Sequence, residues 1–241
     1  MEYGLQLYSV RDSAEKDLAE TLRQVAKLGY KFVEFAGFFG HSAEEVRRML
    51  EDNRLRVSGA HIGFDEIAPQ CIEKTVAYHK TLGNDTLIVP WADYATPEKL
   101  EAVLDALNAA QPILEAAGIT LGYHNHAFEY QPTSYGAFPC REIEERTRVM
   151  LEIDTYWVYV AGIDPVRELQ RLGDRVRVIH VKDGLADGTG RALGEGTAPV
   201  AEVMAYAKEQ GIPMVVESED LNPTGIEEVT RCMRYLQTLD A

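Results

Sequence analysis

The chain has 241 residues, 39 acidic side chains against 24 basic ones, a formal charge of −15 and 46% hydrophobic residues; such a length buries ~70% of the unfolded surface, and the negative excess counts against nucleic acid or an anionic membrane as the main partner. Three unpatterned cysteines, Cys71, Cys140 and Cys232, offer neither a disulfide framework nor a cysteine zinc site. With no basic leader and no apolar stretch of ~18 residues, the expected location is the cytoplasm.

The predicted elements alternate strand and helix. Leu5–Val10 reads as the first strand and Asp17–Leu28 as the helix after it, stopped by Gly29. Phe32–Phe35 precedes the helix Ala43–Asn53, which Ser42 and Glu45 open with a capping box. Val57–His61 leads to Ala68–Leu82 and Gly83, and Thr86–Val89 leads to Pro97–Ala117 and Gly118. Thr120–His124 is followed by an irregular stretch, Phe128 to Pro139, and Val149–Asp154 by a short segment, Tyr156–Gly162. Val176–Val181, the helix Ala201–Gln210, Met214–Glu217 and the helix Ile226–Leu239 complete the series. Eight such units of about 30 residues imply a single (βα)8 TIM-barrel domain over residues 1–241. A doubly wound sheet would carry a glycine-rich phosphate loop after its first strand, and the sequence there, Tyr8-Ser9-Val10-Arg11-Asp12, is not one.

Polar residues close six of the eight strands: Glu34, His61, His124, Asp154, His180 and Glu217. In a parallel barrel these ends converge on one rim. His124, Asp154, His180 and Glu217 close consecutive strands, and strands ~4.8 Å apart let all four reach one centre at bonds of ~2.0–2.2 Å. Taken singly, each is more commonly a polar group satisfied by hydrogen bonds. Together, four buried ionisable groups are costly without a shared partner, so the expectation is one divalent ion: manganese, iron, cobalt or zinc, which suit mixed nitrogen and oxygen donors.

These residues, with Gly-Leu-Gln-Leu-Tyr-Ser-Val-Arg-Asp at 4–12, Gly-Tyr-His-Asn-His-Ala-Phe-Glu-Tyr at 122–130, Glu-Ile-Asp-Thr-Tyr-Trp-Val at 152–158, His-Val-Lys-Asp-Gly at 180–184, Leu-Gly-Glu-Gly-Thr at 193–197 and Val-Val-Glu-Ser at 215–218, give the chain a resemblance. Over nearly its whole length it resembles the xylose isomerase-like TIM barrels, the sugar phosphate isomerase/epimerases and AP endonuclease family 2. The resemblance implies a metal held by carboxylate, Asp154, His180 and Glu217. Where the family often has a glutamate on the fifth strand, this chain has His124, which departs from the two-glutamate proton exchange of the ketose epimerases. Trp157 likewise stands where those epimerases carry a substrate-contacting histidine.

A divalent ion chelating a carbonyl and its neighbouring hydroxyl would acidify the adjacent C–H through an enediolate. Glu217 is the expected base and ligand, with Lys182 and His126 as further acid/base groups, and Glu34, His61, Trp157 and Glu129 as substrate contacts. Lys182 could instead be a surface lysine paired with Asp183, and Glu152 a supporting carboxylate one layer below Asp154. Gly194 and Gly196 are too short a pattern to diagnose phosphate binding, and an unphosphorylated substrate is favoured. The leading expectation is a metal-dependent isomerase or epimerase of a sugar or keto-sugar in carbohydrate metabolism. The alternative is a dehydratase or lyase acting on a keto-inositol or 3-keto-glycoside. A repair nuclease fits the acidic charge poorly, and a sugar-binding protein without activity would need no metal. Outer faces such as Ala43–Asn53 could support a homo-oligomer.

Overall fold

The computed structural model describes residues 1–240, and among them eight parallel strands close into a barrel. Gly4–Gln6, Phe32–Phe35, Arg56–His61, Thr86–Val89, Thr120–His124, Met150–Asp154, Val176–Val181 and Met214–Val216 pair in sequence, and the last pairs with the first. Alternation divides each strand: Val33 and Phe35 join Leu5, Leu87 and Val216 in the apolar layer under the helices, all fully buried, while Phe32 and Glu34 point inward. Gly59 and Gly122 make space for one inward side chain. A Cβ on either would stand 3.2–3.3 Å from Ile88.

The helices lie between the strands as the periodicity implies, and the expected capping box of Ser42 and Glu45 is present. Two boundaries differ from expectation for local reasons. The apolar run Leu7–Val10 curls into a 3₁₀ turn, because the Gln6 side-chain oxygen accepts the Tyr8 N–H at 3.0 Å and ends the strand. The third long helix begins at Ile72 rather than Ala68, since a residue before proline, here Ala68 before Pro69, is disfavoured in helical geometry. Between the sixth and seventh strands run two short helices, Thr155–Val160 and Pro165–Leu172, the second opened by Asp164 and Pro165. Among the described residues no helix is long and apolar enough to cross a membrane.

Candidate functional site

Strand register brings the polar ends to one level. Across neighbouring strands His124 stands opposite Glu152, Asp154 opposite His180, and His180 opposite Val215, two residues before Glu217. Donor atoms of His124, Asp154, His180 and Glu217 all lie within 4.8 Å of one another, and all four residues are buried. Asp154 opens the next helix: its Oδ1 accepts the N–H groups of Tyr156 at 2.9 Å and Trp157 at 3.0 Å, while Oδ2 has no partner. His180 Nδ1 is also buried without a hydrogen-bond partner and stands 3.4 Å from Glu217 Oε2. Bonds of ~2.1 Å in a tetrahedron separate neighbouring donors by about 3.4 Å. Orphaned donors at that spacing fit a cation, which would relieve the cost of leaving them unpaired.

Directly below lies a second polar layer. Glu152 Oε2 faces His61 Nε2 at 2.7 Å, His124 Nδ1 at 3.1 Å and His180 Nε2 at 3.2 Å. Glu34 Oε1 takes the Gln6 amide at 2.6 Å, His180 Nε2 at 2.8 Å and His61 Nε2 at 3.1 Å. His61, His124, Glu152 and His180 thus form a second group of clustered donors. Its closest contact is shorter than a tetrahedral edge of about 3.4 Å and is a hydrogen-bond distance.

Electrostatics sort the groups. Burial works against charge on Glu217, but Lys182 and His180 overcome it and hold its carboxyl well below the ordinary range. Burial pushes Asp154 up to about 7 against the pull of Lys182, and pushes His124 down to about 4 and His126 down to about 3, so both imidazoles are neutral at pH 7. Burial would lower His61 too, but Glu152 and Glu34 outweigh it and raise it to about 10. Lys182 is not a surface residue. It is 2% exposed, contacts Glu217 at 3.4 Å and Glu219 more closely, and sits 4.7 Å from the Trp157 ring centroid.

A cavity of about 510 Å³ opens above the ligand layer, lined in part by Tyr8, His61, Trp91, His124, His126 and Glu217. A larger one, about 590 Å³, lies at the other end of the barrel around Phe32, Arg56 and Met214 and holds none of the clustered donors; chemistry, not size, selects the first. Tyr8, Phe39, Trp91 and Phe128, the exposed aromatics among the described residues, all sit on segments following strands at this rim. Two expected substrate contacts lie elsewhere. Glu34 is wholly buried beneath the ligands, and Glu129, also wholly buried, accepts the His126 N–H at 2.8 Å and the Tyr123 hydroxyl at 3.1 Å. Both Glu129 oxygens are engaged inside the protein, and Glu34 is engaged through Oε1 while its Oε2 is buried without a partner. Burial pushes Glu129 up to about 7.

Comparison with known proteins places this geometry. The sequence model of the xylose isomerase-like TIM barrel family matches residues 22–236. The chain belongs to that family. Within it, the chain is 25% identical over 188 residues to an inosose dehydratase of Geobacillus kaustophilus, covering 68% of this chain and 61% of the relative. It is 21% identical to an inosose dehydratase of Clostridium beijerinckii, covering 72% and 65%; the match therefore spans less than two thirds of either relative's length. A solved structure of a sugar phosphate isomerase/epimerase from Parabacteroides distasonis is 28% identical, with a TM-score of 0.85 over 98% of this chain and 97% of that one.

Several residues of this xylose isomerase-like site escaped sequence reasoning. Gln6 lies at the end of the first strand and reads as an ordinary polar residue, and Glu219 lies beyond the eighth strand, where spacing gives no direction. Asp183, which the sequence offers only as a partner for Lys182, holds backbone instead. Its carboxylate accepts four backbone N–H groups, from Gly184 at 2.8 Å, Gly194 at 2.9 Å, Gly196 at 3.0 Å and Ala198 at 3.1 Å. The glycine pair thus serves an internal carboxylate.

Proposed function

We propose that the protein is a divalent-metal-dependent lyase that removes a β-oxygen substituent, as water or alcohol, from an uncharged polyhydroxylated ketone such as a keto-inositol or 3-keto-glycoside. His124, Asp154, His180 and Glu217 would hold the ion. When bound, it supplies Lewis-acid polarisation of a carbonyl, making the adjacent C–H acidic.

The observation that carries the reading is the asymmetry of the carboxylates. Asp154 has one oxygen committed to two backbone N–H groups, whereas Glu217 lines the cavity and is kept ionised by Lys182. Glu217 is thus the ligand carboxylate that faces the cavity in ionised form, and His124 occupies the place of the opposing glutamate, with its Nδ1 tied to Glu152. Inverting a carbon by exchange between two opposed carboxylates lacks its second member here. With one base, elimination proceeds on a single face: Glu217 takes the proton next to the carbonyl, the released electron pair forms the carbon–carbon double bond as the β C–O bond breaks, and the carboxyl passes its proton to the leaving oxygen. His126, neutral, edge-on to His124 with ring centroids 4.9 Å apart and lining the same cavity, orients substrate. The names of the two dehydratase relatives support this reading; the name of the Parabacteroides structure supports isomerisation or epimerisation as the second.

Proton NMR in deuterated water separates them. The metal-loaded protein is mixed with a keto-inositol and, separately, with a 3-keto-glucoside. Loss of water or aglycone with a new vinylic signal is expected; deuterium exchange with retained composition would favour the isomerase, and no change in either substrate would refute both.

A further inference from the structure

We infer that Glu34 and Glu152 are positioning residues whose task is to fix which nitrogen of His180 and of His124 is presented to the cation; this rests on the metal reading above. An ionised carboxylate is an acceptor only, so a ring nitrogen hydrogen-bonded to one must carry its proton; His180 Nδ1, 3.4 Å from Glu217, makes no such bond. His180 Nε2, 2.8 Å from Glu34 and 3.2 Å from Glu152, is therefore N–H, and the nitrogen left for the ion is Nδ1, the atom without a partner. His124 Nδ1, 3.1 Å from Glu152, is N–H in turn, which leaves Nε2. The two rings are held in opposite senses.

Glu34 Oε2 and Glu152 Oε1 are buried without a partner, and two further observations set this layer apart from an incidental polar core. Both carboxylates are wholly buried with no lysine or arginine among their hydrogen-bond partners, an arrangement that costs stability relative to an apolar core. Both also follow shifts in strand register: pairing passes from Val33 opposite Val57 to Glu34 opposite Gly59, and from Leu151 opposite Val176 to Glu152 opposite Val178. Such irregularities re-aim a side chain. At Gly59 the missing Cβ leaves the space that the Glu34 carboxylate uses; a Cβ there would stand 3.1 Å from Oε2. Hydrogen bonds to the far nitrogen of a ligating histidine orient the ring and raise its basicity. His61 completes the layer, its Nε2 shared between both carboxylates, so that the lower group is held by protons and takes no cation of its own.

The test has two independent parts. Long-range ¹H–¹⁵N correlation on the metal-free wild-type protein should show hydrogen-bonded N–H at His180 Nε2 and His124 Nδ1; a proton absent from either overturns the inference whether or not metal binds. Zinc titration, followed calorimetrically and by elemental analysis, should give one ion per chain. Glu34→Gln and Glu152→Gln should each weaken it about 10- to 100-fold without changing that stoichiometry. Unchanged affinity in both variants overturns the positioning role, as does a second zinc that His61→Ala removes. A wild-type protein that binds no zinc, manganese, iron or cobalt while showing the expected N–H pattern defeats the metal reading instead. Should either variant fail to fold, the wild-type nitrogen pattern still decides.

Discussion

At the scale of single residues, Lys182 shows how a buried charge is made useful. An ammonium 2% exposed is tolerated because Glu217 and Glu219 flank it, and its charge keeps Glu217 able to accept a proton. Lys182→Met removes that bias, so the carboxyl of Glu217 rises. The acid limb of the kcat profile should move to higher pH, and kcat should fall on the order of 100-fold, with a smaller change in KM. Lys182→Arg, which keeps the charge, should restore part of the loss. Rate profiles on the substrate found by NMR check this; an unmoved acid limb in Lys182→Met would mean that the lysine does not tune the base.

At the scale of elements, the segment after the seventh strand depends on one carboxylate. Asp183→Asn keeps a single acceptor oxygen and turns an N–H₂ toward amides that need an acceptor. Each unsatisfied buried amide costs about 1–3 kcal/mol, so the variant should lose roughly 3 kcal/mol, visible as a lower urea midpoint at unchanged slope and faster exchange of the Gly194 and Gly196 amides. An unchanged midpoint would mean the segment is held by something else. This dependence also marks the limit of what the sequence reveals. Strand and helix alternation is written in hydrophobic period, and the convergence of His124, Asp154, His180 and Glu217 follows from their places at strand ends. Depth is not written there. A period of two assigns Glu34 and Glu217 to the same interior but cannot say that a register shift sets one beneath the ligands and the other against the cavity. Nor does it show that Glu129 turns back to hold its own loop, since that depends on contacts with His126 and Tyr123.

At the scale of the whole molecule, the barrel keeps several imidazoles neutral, and this shapes its stability in acid. His79 lies far from the ligand layer in sequence and structure: it packs on the outer helix Ile72–Leu82 between Phe38 and Tyr78, 1% exposed, with Asn84 Nδ2 at 3.0 Å from its Nδ1. Burial pushes it down to about 4 from 6.5. In the unfolded chain the same ring takes up a proton near 6.5. Between those values the unfolded state binds one more proton than the folded one, so stability rises with pH there and is lost as pH falls from about 6.5 toward 4. The full contribution is on the order of 3 kcal/mol. His124 and His126, also lowered by burial, act with the same sign, whereas His61, raised to about 10, gives stability that is present below 6.5 and lost as pH rises through 10. Asp154 and Glu129, raised to about 7, bind protons in the folded state through that window and oppose the lowered imidazoles, so the His79 contribution is read by difference. In urea unfolding of the metal-free protein between pH 7 and 4.5, His79→Gln should lower the rise of stability with pH by about one proton while costing stability at pH 7. A slope unchanged in that variant, or a His79 ring that titrates near 6.5 by NMR, would show that the folded protein admits the proton and that burial does not hold this imidazole neutral.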